Sequence, residues 1–458
     1  LEDQVNRDLK KLFEDEYEDL LEIGGEFTMI DEEGLSSINV MTPERCLTLL
    51  SMDVDSFENI QLVVFDEFHL INSRDDKLDR RSLDAMFCLL SLFEALHDAD
   101  YLLISAMVEN SVEIASWVSM VTGRSCMAFN SSWKPTRQLQ GCLVFPEEEI
   151  STLKDKIIEQ RAEKSKTSVA KEMYATAHQL FSLRNIWDDD RQRDFLLKKL
   201  FKNKVNLSLG TNWNLTSNRN NVAGDIASFF IKQGIKTLIF VDNPVFAKSA
   251  VKHLETILPA RSFAESNFET QNQRRIKALE LELGDIKYSF FDPAQQVSSH
   301  HGLLLPLERQ LNESRFKSND GIHCIVATAT LAQGINLPAE VVIIAGDDRF
   351  DEDTEARESL QAHEILNAAG RAGRAGSSAQ GVVIIVPGKI ITFSDKKNAP
   401  QQWINLQKNI FSKTDQCLTI NDPLNQFLDT ITTSSDEKSY SENVRNLLFK
   451  LDKGQTSD

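Results

Sequence analysis

Basic charge is in short supply in this chain: 50 lysines and arginines stand against 69 aspartates and glutamates, a net charge of −19. That balance argues against a protein that coats nucleic acid through an overall basic surface, though it leaves room for a locally basic groove. Cysteine is scarce too. Cys46, Cys88, Cys126, Cys142, Cys324 and Cys417 are widely spaced with no CxxC pair, so neither a zinc site nor a disulfide framework is indicated. A reducing cytosol fits best, with nucleoid or nucleus as alternatives. No apolar run approaches the roughly 20 residues that would span a bilayer. The opening LEDQVNRDLKKLFEDEYEDL is a charged amphipathic pattern and not a signal peptide. Since the first residue is Leu1 and not Met, the chain is expected to start inside something longer.

What is present is an alternation. Strand-like runs occur at SINVMTP (37–43), LVVFDE (62–67), YLLISA (101–106), KTLIFVD (236–242), HCIVATAT (323–330), VVIIAG (341–346) and GVVIIVPG (381–388), mostly separated by helical patterns. Strands alternating with helices predict parallel sheets flanked by helices. At 458 residues the chain exceeds one domain of roughly 100–200. The first block ends near NSSWKPTRQLQG (130–141), where Pro135 and a polar cluster interrupt the pattern. The charged region 147–233 reads as helix with few strand signals, a helical decoration on the second block. Residues 396–458 read as a tail or the start of a further domain.

Four stretches carry candidate chemistry. In LVVFDEFHLI (62–71), Val63, Val64 and Phe65 lack alternation, as in a parallel strand covered on both faces. Asp66 and Glu67 end it at the edge where open α/β sheets bind ligands. An Asp there can hold Mg²⁺ while the next Glu orients a water; an acidic helix N-cap is the plainer alternative. In NAAGRAGRAG (367–376), Arg371 and Arg374 stand three apart among small residues, which suits a polyphosphate, or equally a glycine-rich helix end with solvated arginines. In VATATLAQGINLPAE (326–340), Thr328 ends a strand and Gly334, Asn336 and Pro338 make a tight polar loop. The fourth is SSHHGLLLPLERQLNESRF (298–316). His300 and His301 have no third ligand spaced with them, so a metal is not indicated, and the stretch reads as a polar loop before an amphipathic helix.

Taken in order, these pieces resemble the superfamily 2 helicases, in particular the Ski-type DExH branch. MTPER (41–45) resembles motif Ib, DEFH motif II, SAM (105–107) motif III and LIFVDN (238–243) motif IV. HHGLLLPLER resembles the branch's HHxGL element, ATATLAQGINLPA motif V, and NAAGRAGR motif VI. Seven elements in family order over residues 41–374 give the set its specificity.

The resemblance implies two tandem RecA-like α/β domains, about 1–140 and 141–395, with helical material in or before the second and ATP between them. It implies that Asp66 and Glu67 serve Mg²⁺ and the attacking water, that Arg371 and Arg374 reach the γ-phosphate, and that Gly334 and Asn336 sense the nucleotide. Thr42, Pro43, Arg45, Thr328 and His301 would hold one nucleic-acid strand, and Ser105 and Ala106 would couple hydrolysis to movement. The expected substrate is single-stranded or tailed nucleic acid, DNA slightly ahead of RNA, unwound by translocation. The alternative is an ATPase switch that loads or remodels a partner such as a nuclease. No GxxxxGK[ST] phosphate loop occurs in the chain; the resemblance implies that it lies upstream of Leu1. Met107 and Asn367 replace the Thr and Gln usual in motifs III and VI.

Overall fold

The computed structural model describes residues 23–24, 35, 38–72, 80–105, 108–130, 137–182, 195–199, 201, 203–259, 267–292, 295–318, 321–328, 337, 339–346, 348–351, 356–359, 372, 380–394 and 419–420. Contacts divide the chain into two units, 1–130 with 416–458, and 131–415. Among the described residues no helix is long and apolar enough to cross a membrane.

In the first unit, helix α1 (Pro43–Met52) starts with proline at its first position, where the missing N–H costs nothing, and with Thr42 as N-cap. Strands β1 (Leu62–Phe65) and β2 (Asp100–Leu103) pair in parallel with Phe65 opposite Leu103. Helix α2 (Arg80–Ala95) lies between them in sequence, and α3 (Ser111–Thr122) follows. Apolar residues recur along α2 at helical spacing and feed two cores. Cys88 and Leu92 meet Cys46 and Leu50 of α1, while Met86, Leu89 and Phe93 meet Phe65, Phe68 and Val118. Each fully buried side chain of this size contributes about 1.5–3 kcal/mol. Ile420 joins the second core, and Asn110 holds it at both ends: Nδ2 donates to the Ile420 carbonyl and Oδ1 accepts its N–H, each at 3.0 Å. The run 62–65 predicts a strand covered on both faces, yet Leu62, Val64 and Leu102 stand 57, 51 and 50 % exposed. Only the face carrying Phe65 is covered among the described residues.

The second unit is built on a sheet of nine strands among the described residues. Its members are β3 (Arg137–Pro146), β4 (His178–Ser182), β5 (Phe195–Lys199), β6 (Thr237–Val241), β7 (Val297–His300), β8 (Cys324–Thr328), β9 (Val341–Ala345), β10 (Gln380–Val386) and β11 (Thr392–Phe393). The order is β7-β8-β6-β9-β10-β3-β4-β5, with β11 beside β3. Pairings are parallel from β7 to β3 and antiparallel for β3–β4 and β4–β5. Strands β6, β8 and β9 are buried at every residue. Alternate side chains go to opposite faces: Ile239, Val241, Val326 and Ile343 to one core, Leu238, Phe240, Ile325 and Val342 to the other. This is why continuous apolar runs mark them. The longer helices described in the unit are α4 (Glu147–Gln160), α5 (Arg219–Ile231), α6 (Pro244–Ile257), α7 (Asn267–Leu283) and α8 (Pro306–Lys317).

Three sequence expectations need correction. The region 147–233 is not helical throughout: it carries β4, β5 and short paired strands at Tyr174–Ala175, Val205–Asn206, Ser208–Leu209 and Leu215–Thr216. The interruption at 130–141 runs into a strand, β3, whose Gln138–Cys142 pair with Gly381–Ile385 of β10. The break between units therefore falls ahead of β3, between 130 and 131. Finally, 297–300 is not a polar loop but the edge strand β7, its polar Ser298 and His300 buried against the sheet.

Candidate functional site

Asp66 and Glu67 stand at the carboxyl end of β1, where the chain leaves the sheet. Asp66 Oδ1 accepts the N–H of Glu67 at 2.8 Å. Glu67 adopts a left-handed conformation, φ 53° and ψ 45°. A non-glycine residue held there costs on the order of 1–3 kcal/mol, and such strain collects at functional sites. Backbone bonds impose it: the Phe68 N–H donates to the Ile104 carbonyl at 2.8 Å, and the Leu70 N–H donates to the Glu67 carbonyl at 2.8 Å. The Glu67 carboxylate is oriented in turn by His69, whose Nδ1 lies 3.3 Å from Oε2. The same Nδ1 lies 3.3 Å from Ser105 Oγ, which also accepts the His69 N–H at 3.2 Å. Motif II is thereby stitched to the end of β2, the motif III position, by a side chain and by backbone. Spacing in the sequence does not disclose this link, since its partners are 36 residues apart.

The resemblance implies ATP with Mg²⁺. Asp66 is exposed and offers carboxylate oxygen beyond the one bonded to Glu67. Hard carboxylate oxygens suit Mg²⁺, which keeps several waters and relies on one or two carboxylates plus nucleotide phosphates. The donor set fits that cofactor. Among the described residues no group of three or more metal-ligating side chains gathers.

Thr42 caps α1, its Oγ1 accepting the Arg45 N–H at 3.4 Å, so Thr42, Pro43 and Arg45 form the first turn of an exposed helix end. In the second unit, Thr328 ends β8 and is only 6 % exposed. Asn243, at the end of motif IV, caps α6 by accepting the Phe246 N–H at 3.0 Å. His301 follows β7 with its ring 2 % exposed, so in this conformation it supports neighbouring groups and does not present a face of its own. Burial and the charge of adjacent His300 hold its pKa below the usual histidine value, and Nδ1 is buried with no hydrogen-bond partner among the described residues. His300 instead pairs Nε2 with Glu313 Oε1 at 3.0 Å. Ala106, Gly334, Asn336, Arg371 and Arg374, with Met107 and Asn367, lie outside the described residues. Between the two arginines, Ala372 bridges Ala339 in parallel, and its carbonyl accepts Gln138 Nε2 at 2.7 Å.

Two positioning residues have no sequence signal. Arg219, at the start of α5, pairs with Asp242 of motif IV at 3.5 Å, both side chains being about a tenth exposed or less. Gly346, at φ 126°, passes so close that a Cβ would strike the guanidinium. Glu308, buried at the start of α8, accepts from Ser289 Oγ, the Phe290 N–H and the Leu305 N–H.

Comparison with known proteins agrees with this geometry. Residues 1–114 match the DEAD/DEAH box helicase family, and residues 250–376 match the helicase conserved C-terminal domain. The two matches give the chain the paired domains of a DEAD/DEAH box helicase, consistent with a superfamily 2 DExH-box helicase of the Ski-type branch. Among its relatives, the Hachiman protein HamB of Bacillus cereus is 22 % identical over 376 residues, 79 % of this chain and 29 % of HamB. The Arabidopsis thaliana DExH-box ATP-dependent RNA helicase DExH11 is 22 % identical over 375 residues, covering 77 % and 27 %. The ATP-dependent DNA helicase homolog MER3 of the same plant is 23 % identical over 382 residues, covering 80 % and 28 %. The chain thus spans less than a third of each of these proteins.

Proposed function

We propose that this chain supplies the motor core of an ATP-dependent helicase that moves along one strand of single-stranded or tailed nucleic acid and displaces the other, with DNA slightly ahead of RNA as the substrate. The observation that carries the reading is the strained Glu67 beside Asp66 at the end of β1, tied through His69 to Ser105. Bound with Mg²⁺, ATP supplies the phosphoryl group transferred to water. Asp66 would share in holding the metal; Glu67 would orient the water and accept its proton, its carboxylate already aimed by His69. Any shift of Glu67 on hydrolysis pulls on His69 and Ser105, and so on the end of β2. Arg371 and Arg374 are proposed to stabilise the γ-phosphate, and Gly334 and Asn336 to sense it. The Thr42–Arg45 turn and Thr328 are proposed to hold strand phosphates.

The test is a strand-displacement assay on the full-length protein with tailed duplexes, run beside ATPase stimulation by matched DNA and RNA strands. Displacement that depends on ATP and on a single-stranded tail supports the helicase. ATP turnover stimulated by a strand but with no displacement refutes it in favour of a switch that remodels a partner.

A further inference from the structure

Beside the edge strand β7, the segment Lys287-Tyr288-Ser289-Phe290 turns two aromatic rings to solvent, Tyr288 at 66 % and Phe290 at 43 % exposure. Each ring carries an ammonium group. Lys287 Nζ lies 5.0 Å from the Tyr288 centroid, and Lys248 Nζ, from α6, lies 5.9 Å from the Phe290 centroid. Phe291 does the opposite: it is 1 % exposed in a small core with Leu279 and Leu311, so the chain anchors one phenylalanine and presents the other.

The presentation is built and not incidental. Glu308 Oε1 accepts Ser289 Oγ–H at 2.6 Å and the Phe290 N–H at 2.5 Å, while Oε2 accepts the Leu305 N–H at 2.7 Å. Arg315 donates to the carbonyls of Asp292 and Gln295 at 2.8 and 2.6 Å, pinning the return toward β7. Behind Phe290 stands the buried His301 ring, 5.4 Å away and edge-on at 87°. A buried glutamate, a buried arginine and a buried histidine are spent on holding one half-exposed ring in place.

The position in the fold names the ligand class. The loop after β7 adjoins the carboxyl end of β8, where Thr328 sits, and α6 begins directly after Asn243 of motif IV. The rings therefore flank the sheet edge to which the strand was assigned above. An ammonium over an exposed ring is a weak contact, whereas a nucleobase stacked on that ring, with its phosphate taken by the ammonium, is stronger and tolerant of sequence. Among the described residues Lys248 has no carboxylate partner to leave, whereas Lys287 is also held by Asp285 at 2.8 Å, so the exchange falls to Lys248. In a chain of net charge −19, a lysine placed beside an open ring is a local attraction for phosphate.

We propose that Phe290, with Tyr288 beside it, is a base-stacking platform for a single nucleic-acid strand, and that Lys248 swings from the ring to the adjoining phosphate when a base arrives. This inference rests on the nucleic-acid reading made above. The test is fluorescence anisotropy on the full-length protein, with a labelled oligothymidine and the same oligomer carrying abasic sites. Phe290→Ala and Phe290→Leu should weaken the intact oligomer about tenfold, the scale of one lost base–aromatic stack. Both should leave the abasic oligomer unchanged, while Phe290→Trp keeps full affinity. Lys248→Gln should lower the slope of log K against log[salt] by about 0.7, one phosphate's share for a single strand. Intact-oligomer affinity that survives Phe290→Ala, or an equal loss on the abasic strand, overturns the platform and assigns the patch to a protein partner. A wild-type protein that binds neither oligomer overturns the nucleic-acid reading itself, and is distinguishable on that ground.

Discussion

Replacing Ser105 with alanine tests whether the stitch between the two loops matters for turnover. The hydroxyl accepts the His69 N–H at 3.2 Å and lies 3.3 Å from His69 Nδ1. A net hydrogen bond of this kind contributes about 0.5–1.5 kcal/mol, and a partly buried N–H left without an acceptor costs somewhat more. The bond from Phe68 to the Ile104 carbonyl remains, so the loop stays attached to β2. A destabilisation of about 1–2 kcal/mol is therefore expected in urea unfolding. What is lost besides is the fixed angle of the His69 ring, and with it the aim of Glu67. If about 1 kcal/mol of that orientation is felt in the transition state, kcat falls roughly fivefold, since 1.36 kcal/mol is tenfold. Ser105→Thr, which keeps the hydroxyl, should recover most of the rate. Phosphate release at saturating single strand is the measurement. Wild-type turnover and stability in Ser105→Ala would show that the stitch is incidental; a variant as dead as one lacking the Glu67 carboxylate would show that Ser105 meets the reacting groups directly.

Glu67→Gln should retain nucleotide binding yet lose about 10²–10⁴-fold in kcat, the usual contribution of a positioned base; rapid hydrolysis in that variant would remove Glu67 from the mechanism. Arg374→Ala should lower kcat on the order of 10³-fold if it acts as an arginine finger, read from the same phosphate-release assay. Gly346→Ala should destabilise the second unit by about 2–4 kcal/mol, because it strains φ 126° and pushes Arg219 off buried Asp242; an unchanged urea midpoint would contradict the packing. His301 has a folded pKa below its ordinary 6.5, so the unfolded chain takes up the proton first as pH falls. Its contribution is constant above that value and is lost as pH drops from 6.5 toward the lowered folded pKa, and His301→Phe should flatten that part of the stability profile.

The strands legible in the sequence are those whose apolar letters run on unbroken, whether both faces are covered, as in β6, β8 and β9, or one is left open, as in β1 and β2. Strands β6, β8 and β9 send alternate side chains into two apolar cores, so no polar residue interrupts them. Strands β3 and β4 hide because they bury glutamines: Gln138 serves the Ala372 carbonyl, while Gln140 and Gln179 are 1 % and 0 % exposed with side-chain atoms unpartnered among the described residues. Gly141 adds to the disguise, since the Gln179 and Phe181 side chains cross where its Cβ would be. A pattern of apolar letters does not find a strand of that kind. The site divides in the same way. Two carboxylates after an apolar run mark the end of β1 because the signal is local. The His69–Ser105 link and the Arg219–Asp242 pair form only when the chain is folded back on itself, and nothing in their spacing announces them.

The acidic balance of the chain bears on how a strand would be held. Helix α1 offers its amino end at Thr42 and Pro43; proline has no N–H and the Arg45 N–H is taken by Thr42 Oγ1, so it is chiefly the helix dipole that favours an anion there. Glu44, in the same turn, works against a phosphate there. Its Oε1 lies 3.7 Å from Nε of Arg81 on α2, which offsets that charge from the side. Both side chains are about half exposed, so the pair is screened and weak as a stabilising contact; its effect is on the field in front of Thr42. In the second unit Thr328 is nearly buried at the end of β8, so what it would offer a phosphate there is a hydroxyl and backbone donors and not a charge of its own. Grip of this kind displaces few counterions. The dependence of log K on log[salt] should accordingly be shallow, at roughly 0.7 for each phosphate neutralised on a single strand. A steep slope would mean that cations elsewhere in the full-length protein, and not these helix and strand ends, carry the strand.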